Sequence, residues 1–191
     1  MYQKILDEAM AELKEEMADG KGQMTDRNSA HLPSAILHNT FVQECSIDTD
    51  LSILIPDEYV ENIGERISLY QQLDNSKTED DLVSFESQLQ DRFGNIPEQT
   101  KKLISVVRLR WLAVELGFEK LVLKNGKITA WFVSNQKSPY YQSELFSKIL
   151  QFVQNNPTTY TITEREKKLT LKIEKVNDID EAMKILKHMK I

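Results

Sequence analysis

The residue types that enzymes use for catalysis and metal binding are scarce in this sequence, which has three histidines and one cysteine among 191 residues. His31 and His38 lie in a stretch without helical or strand periodicity, and His188 lies near the last residue. So few imidazoles and thiols predict no zinc site. The segment Gly20-Lys21-Gly22 lacks the spacing of a phosphate-binding loop, and it follows a helical pattern where a strand is required. Because no Gly-x-Ser-x-Gly motif occurs either, we expect neither an enzyme nor a bound cofactor.

Charge is distributed unevenly along the chain. The net charge is −6. The acidic segment 57–98, with 11 acids and 3 bases, and the basic segment 99–191, with 17 bases and 9 acids, cancel each other, so the excess of acids lies in residues 1–56. Wrapping of nucleic acid needs a concentrated basic face, which this arrangement does not predict. It allows a charged docking surface for a protein, and two merely solvated faces explain it equally well.

Redox setting and localisation follow from two simple features. The single cysteine, Cys45, cannot form an internal disulfide, and no apolar run approaches the length of a membrane span. We therefore expect a protein of the reducing cytoplasm.

One short segment, Asp91-Arg92-Phe93-Gly94-Asn95-Ile96-Pro97, combines turn signals with an adjacent acid and base. Gly94 suits the left-handed residue that follows a helix, and Pro97 suits the first turn of the next helix. Phe93 completes an apolar stripe at helical spacing with Leu82, Phe85 and Leu89. Folding alone therefore explains Phe93, Gly94 and Pro97.

The two charges at the end of this helix are less easily explained. Asp91 points nearly opposite the apolar stripe, whereas Gln88 and Arg92 flank that stripe on one side. A base in the last turn suits the helix dipole, but an acid there opposes it by roughly a few tenths of a kcal/mol. We therefore predict that an outside partner supplies the compensating charge to Asp91.

Two further groups of basic residues stand out. Arg110 shares a helix face with Leu103, Val107 and Val114, so we expect a buried or half-buried guanidinium paired with a carboxylate. The segment Arg165-Glu166-Lys167-Lys168, with Lys172 and Lys175, predicts a basic hairpin that is solvated.

The elements that position these residues predict an α+β fold. An uncapped amphipathic helix (1–19) and a linker (20–43) precede a domain over 44–191. That domain is expected to have an antiparallel sheet, built from one long N-terminal strand and two hairpins, with helices on one side or end. The expected elements are a strand at 44–56, helices at about 59–73, 78–93 and 97–116, a hairpin around Asn125-Gly126, a helix at 142–155, a second hairpin at 160–173 and a helix capped by Asp178.

Several motifs in the same order resemble one protein family. The first is Asp-Arg-Phe-Gly-x-x-Pro at 91–97. The others are Ile55–Val60 followed by Arg66–Tyr70, Leu109-Arg110 with Ala113 and Leu116-Gly117, and the helical pattern of 1–17. On these residues the chain is similar to the C-terminal (TRCF) domain of the bacterial transcription-repair coupling factor (Mfd), over nearly its whole length.

The resemblance implies a function that the residues alone do not show. The parent resembles an ATP-driven DNA translocase that displaces stalled RNA polymerase and recruits UvrA in transcription-coupled nucleotide excision repair. Its C-terminal domain resembles a regulatory clamp that packs on an N-terminal UvrB-like module of the same chain, masks the UvrA-binding surface and restrains the motor. Residues 1–19 correspond to the end of that motor, whose nucleotide and helicase motifs are absent from this sequence, so we expect no ATP binding or hydrolysis here.

The resemblance also implies site residues. In the family, acidic residues on the helix before Phe-Gly meet arginines of the N-terminal module, which assigns interdomain contact to Gln88, Asp91 and Arg92. Gln88 departs from the glutamate common at its position, so the contact is expected to be weaker or displaced, with Asp81 or Glu86 sharing the role. Structural roles fall to Phe93, Gly94, Pro97, Arg66, Tyr70 and Arg110.

A competing interpretation uses the basic C-terminal half. It makes the chain a nucleic-acid- or RNA-polymerase-binding module, and steeply salt-dependent DNA binding would favour it.

Overall fold

A computed structural model describes residues 41–165 and 168–190, without the side chain of residue 165. The predicted helix over 1–19 and the predicted linker up to residue 40 lie outside this part of the chain, as does the centre of the basic turn. Phe41 and Val42 contact the core, and the Phe41 ring meets that of Tyr140 edge-on at 5.4 Å. The elements in chain order are β1 (Ser46–Thr49), α1 (Ile63–Asn75), α2 (Glu79–Phe93), α3 (Glu98–Glu115), β2 (Phe118–Lys124), β3 (Lys127–Phe132), a 3-10 turn (Pro139–Gln142), α4 (Glu144–Asn155), β4 (Tyr160–Arg165), β5 (Lys168–Glu174) and α5 (Ile179–Met189).

The fold is α+β, as predicted, but its sheet is mixed rather than purely antiparallel. The strand order is β1-β2-β3-β5-β4, and β1 runs parallel to β2. The other neighbouring pairs are antiparallel. Parallel neighbours need a long crossover, and α1, α2 and α3 supply it between β1 and β2.

The long strand predicted over 44–56 is wrong, because only Ser46–Thr49 pairs with a neighbour. The strand β1 pairs with β2, which ends at Lys124, so no neighbouring strand is present to pair with the residues after Asp50. The alternation of apolar residues persists without a strand: Ile53 and Ile55 are buried although their backbone is irregular. Burial on one face therefore produced the strand-like pattern.

Helix ends follow their capping residues. The helix expected from residue 59 begins at Ile63, because the Asn62 side chain accepts a hydrogen bond from Glu65 N at 2.9 Å. The predicted caps Thr78 and Asp178 are present at the starts of α2 and α5. At the Asn125-Gly126 hairpin both residues have positive φ, 52° and 69°, as a type I′ turn requires.

The core lies between one face of the sheet and the helices. The central helix α3, predicted to be buried, contacts α1, α5, β1 and β2. Buried residues recur at every second position along β1 and β3 and over most of β2 and β5. The core-facing members are Leu121, Leu123, Ile128, Ala130, Leu171 and Ile173.

Candidate functional site

The candidate site is the outer surface of α2 and the corner of residues 94–97 that joins it to α3. Gly94 has φ +81° and ψ −151°, a conformation open to glycine, and an added Cβ would meet no atom within 4 Å. The Pro97 carbonyl accepts hydrogen bonds from Thr100 N and Lys101 N, both at 3.0 Å, and so starts α3. The positive φ of Gly94 was predicted, but its ψ lies outside the left-handed helical region that the sequence indicated.

Tyr59 ties this corner to the rest of the domain, and sequence reasoning gave it no role of its own. Its hydroxyl lies 3.1 Å from both the Leu89 and the Gly94 carbonyl oxygens, so it can donate to either. Its ring lies 5.6 Å from that of Phe93. The signal in the sequence was the Pro-x-x-Tyr spacing from Pro56, whose carbonyl accepts from Tyr59 N at 3.0 Å.

Two of the predicted contact residues face α1 and already have partners there. The Gln88 amide oxygen accepts from Gln72 Nε2 at 2.8 Å. Arg92 pairs with Glu65, and its guanidinium lies 4.9 Å from the centre of the Phe93 ring. Gln88 and Arg92 therefore help to join α2 to α1.

The two supporting acids also have internal partners. Asp81 completes a capping box: its carboxylate accepts from Thr78 N at 2.8 Å and from Lys77 N at 2.9 Å, and these hydrogen bonds lower its pKa. On the opposite flank Glu86 pairs with Arg108 of α3 at 3.1 Å.

Arg108, which sequence reasoning missed, is the main link between α2 and α3. Its Nε donates to Glu79 Oε1 at 2.9 Å, and its Nη2 reaches Glu86. The bond to Arg108 lowers the pKa of Glu79, and the two carboxylates raise the pKa of Arg108. Glu79 and Glu86, seven positions apart on one side of α2, were the available signal.

Asp91 differs from all of these residues. It is exposed and has no hydrogen bond or ion pair with any residue that the structure describes. It lies on the outward stripe of α2 with Asp80, which is also exposed and unpaired in the described part of the chain. Eleven residues of helix place these two about 16 Å apart along its axis. Val83, 54% exposed, adds an apolar side chain near this stripe.

Two of the residues assigned structural roles, Arg66 and Tyr70, brace the irregular segment after β1. Arg66 Nη1 donates to the carbonyl oxygens of Val60 at 2.7 Å and Glu61 at 3.2 Å. One turn further along α1, the buried Tyr70 hydroxyl accepts from Ile55 N at 2.9 Å. The two side chains hold both ends of the segment 55–61, on which Tyr59 is carried to the corner.

Arg110 is half-buried and pairs with a carboxylate. Its Nη1 lies 2.7 Å from Asp74 Oδ1, and the pair links α3 to the end of α1. Nearby, burial raises the pKa of the Cys45 thiol to about 12. Arg110 therefore belongs to the packing of the domain, away from the outward stripe of α2.

The described residues offer neither a metal site nor a membrane-spanning helix. They contain no group of three or more His, Cys, Asp or Glu side chains placed to hold a metal ion. None of the helices in the same residues is long and apolar enough to cross a membrane.

The fold described here is a mixed α+β domain in which three consecutive helices join the first two strands. A solved structure titled as the crystal structure of the C-terminal domain of transcription-repair coupling factor shares it, with a TM-score of 0.62, 16% identity, and coverage of 77% of this chain and 94% of that one. Residues 49–143 match the family model of the TRCF domain, a range that contains α2 and the corner. This chain therefore belongs to the TRCF-domain family.

Curated relatives carry the same name. Transcription-repair-coupling factors of Rickettsia typhi and Escherichia coli are 27% and 29% identical over 97% and 56% of this chain. That of Staphylococcus aureus is 28% identical over 75% of it. The matched regions span 14%, 9% and 13% of those relatives, so this chain corresponds to a small part of each.

Proposed function

We propose that this domain is the regulatory clamp of a transcription-repair coupling factor. Its partner is an N-terminal UvrB-like module of the same parent chain, and the contact masks the surface that recruits UvrA and restrains the motor. The parent, on this proposal, is an ATP-driven DNA translocase that displaces stalled RNA polymerase during transcription-coupled repair. Membership of the TRCF family supports this assignment, and the exposed, unpaired Asp91 on α2 supports the choice of contact residue.

The observation that carries the mechanism is the unpaired carboxylate of Asp91. Its neighbours Gln88, Arg92, Asp81 and Glu86 have partners within the domain, whereas Asp91 has none among the described residues. An acid in the last turn of a helix is slightly unfavourable in isolation. An arginine from a docked module would offset this unfavourable interaction with the helix dipole. The Asp91 carboxylate is therefore expected to favour a cationic partner.

The neighbours can still adjust when a partner arrives. Glu65 and Arg92 are 31% and 43% exposed as side chains, and such pairs contribute about 0–1 kcal/mol. Arg92 can therefore leave Glu65 at small cost when a cationic surface approaches Asp91. Breaking the Asp81 capping box would cost more, because its hydrogen bonds cap the N-terminus of α2. We accordingly assign the contact to Asp91, with Gln88 and Arg92 at its border.

Calorimetric titration with the separately expressed N-terminal module tests the proposal. Asp91→Arg places like charges face to face and should weaken binding by about 1–3 kcal/mol, which is roughly tenfold or more. Asp180→Arg is a matched control, because Asp180 is an exposed acid without a described ion pair on another helix, α5.

The proposal requires that Asp91→Arg weakens binding while Asp180→Arg leaves it within about twofold of wild type, with both variants folded by circular dichroism. Equal binding by wild type and Asp91→Arg would overturn it. Absence of binding by the wild-type domain even at millimolar concentration would also contradict a direct contact.

A further inference from the structure

The face of the sheet turned away from the helices forms a second surface. Its side chains alternate with the buried ones along four strands. We call it the open face; it comprises Lys120, Val122 and Lys124 of β2, Lys127, Thr129 and Trp131 of β3, Thr161 and Thr163 of β4, and Lys168, Thr170, Lys172 and Glu174 of β5. The helix α2 contacts α1 and α3 rather than the sheet, so the open face is separate from the clamp surface.

The open face carries lysines that form no ion pair with a described residue. At one end Lys124 pairs with Asp48 at 2.7 Å and Lys127 with Glu174 at 2.8 Å. Lys120, Lys168 and Lys172 are exposed and form no ion pair within the described ranges. Lys168 and Lys172 can therefore contact an anionic ligand directly, and Lys120, which also lies near the Trp131 ring and Asp48, adds a third positive charge to the same face.

These three lysines surround a tryptophan. In the strand register, Trp131 faces Lys120 on β2 and Thr170 on β5, which makes Lys168 and Lys172 its diagonal neighbours at about 7–8 Å. Lys120 Nζ lies 5.3 Å from the centre of the Trp131 ring. Trp131 is partly exposed and is not among the side chains that pack against the core.

The other side chains around the ring are short. Thr129 and Thr170 flank Trp131 on this face, and the Thr163 and Thr170 hydroxyls lie 2.8 Å apart. Thr170 is buried and its hydroxyl also donates to the Thr163 carbonyl at 3.1 Å, so no long side chain from these two positions covers the indole. A partly exposed aromatic ring bordered by lysines suits a ligand in which flat rings are joined by regularly spaced anions.

We propose that the open face binds single-stranded nucleic acid, with a base stacked on Trp131 and phosphates contacted by Lys120, Lys168 and Lys172. Stacking on an aromatic side chain is sequence-tolerant, and lysines along the strand neutralise its backbone. A duplex fits less well, because its bases are already stacked on one another. An acidic protein surface would satisfy the lysines but gives no use for the exposed ring.

Fluorescence anisotropy with labelled twelve-residue oligo-dT and oligo-U tests this at 50 mM salt. Trp131→Ala should raise Kd about tenfold, the effect of losing one stacked base. In a Trp111→Phe background, titration with unlabelled oligo-dT should quench the remaining Trp131 emission. Lys172→Glu should weaken binding and lower the dependence of log Kd on log salt concentration by about 0.7 for each lost phosphate contact.

Lys184→Glu is the matched control, since Lys184 is an exposed lysine on α5, outside the open face. It should change Kd less than twofold. The proposal is overturned if neither oligonucleotide binds at this salt concentration, or if Trp131→Ala binds like wild type. If a DNA duplex binds as tightly as the single-stranded oligonucleotides, the open face is not specific for single strands and the proposal fails. The proposal also fails if a polyglutamate peptide binds equally tightly and loses as much affinity in Lys172→Glu, because the face then binds anions in general. Neither result bears on the contact at Asp91, which Trp131→Ala should leave intact.

Discussion

Asp91 is a residue of α2 that forms no contact needed for the folding of the described domain. Gln88, Arg92, Asp81 and Glu86 of α2 each cap a helix, bridge two helices or cover an aromatic ring. The Asp91 carboxylate does none of these in the described structure. Its replacement should therefore change binding without changing stability by more than about 0.5 kcal/mol.

Gly117 and Gly94 have the same φ of +81° but different surroundings. A Cβ on Gly117 would lie 2.2 Å from Tyr140 Cε2, whereas a Cβ on Gly94 would meet nothing within 4 Å. The Tyr140 ring cannot withdraw easily, because its hydroxyl donates to the Leu116 carbonyl at 2.6 Å.

Gly117→Ala should therefore destabilise the domain by about 2–4 kcal/mol, combining backbone strain with overpacking. Gly94→Ala carries only the strain and should cost less, about 1–3 kcal/mol. Urea unfolding of the two variants and wild type measures both. Equal stability of the two variants would contradict the close contact with Tyr140.

At the scale of elements, α2 is attached on both flanks by polar groups. Gln88 and Arg92 face α1, while Glu79 and Glu86 share Arg108 of α3. This attachment leaves only the outward stripe free to meet a partner. Helical spacing in the sequence predicted that stripe correctly, because Leu82, Phe85 and Leu89 define the buried side of α2.

The Glu79–Arg108 pair should make α2 sensitive to acid. The pKa of Glu79 is lowered in the folded state, so its contribution is present above the unfolded pKa of about 4.3 and is lost as pH falls through the folded value. Glu79→Gln should cost up to about 1 kcal/mol at pH 7, since the pair is partly exposed, and less at pH 3. Urea unfolding at both pH values checks this.

Asp80→Asn is the control, because Asp80 adjoins Glu79 but has no described ion pair. It should show only the small effect of losing an acid from the first turn of a helix, about 0.3–1 kcal/mol. A Glu79→Gln penalty that is the same at pH 3 and pH 7 would show that the ion pair is not its source.

Elements were predictable where the signal was local. Asn125-Gly126 specified its hairpin, and Thr78 and Asp178 specified helix starts, because each acts through neighbouring residues. The parallel pairing of β1 with β2 was missed, since it depends on where three intervening helices return the chain. The length of β1 was overestimated for a related reason: alternation reports burial on one face, whereas a strand also needs a neighbour.

The candidate site was partly predictable in the same sense. The sequence indicated the outward direction of Asp91, but the partners of Gln88 and Glu86 come from α1 and α3. Helical spacing within α2 contains no information about which side chains face it from other helices. The role of Tyr59 at the corner was missed for the same reason, because it contacts residues thirty or more positions away.

At the scale of the whole molecule, the domain presents two unlike surfaces on a shared core. The outward stripe of α2 carries free carboxylates, and the open face carries free lysines around Trp131. The uneven charge along the chain therefore becomes a separation of charge in space. Opposite charges on separate faces allow two different partners to be bound at once.

Cys45 reports on the integrity of this whole core. It is the single cysteine of the sequence, 3% exposed, and burial raises its pKa to about 12. A thiol reagent at pH 8 should therefore react only through unfolding, since the thiolate is the reactive form. Labelling measured across a urea series should follow the unfolding curve by circular dichroism. Rapid labelling without urea would contradict the burial of Cys45.

The most direct test of the clamp is a charge swap across the proposed contact. Surface arginines of the N-terminal module are changed singly to glutamate, and each variant is titrated by calorimetry against the wild-type domain and against Asp91→Arg. The account predicts that one arginine variant binds the wild type at least tenfold more weakly yet restores binding to Asp91→Arg, because the opposite charges again face each other. If every arginine variant affects the wild-type domain and Asp91→Arg equally, Asp91 does not meet an arginine of that module and the central claim fails.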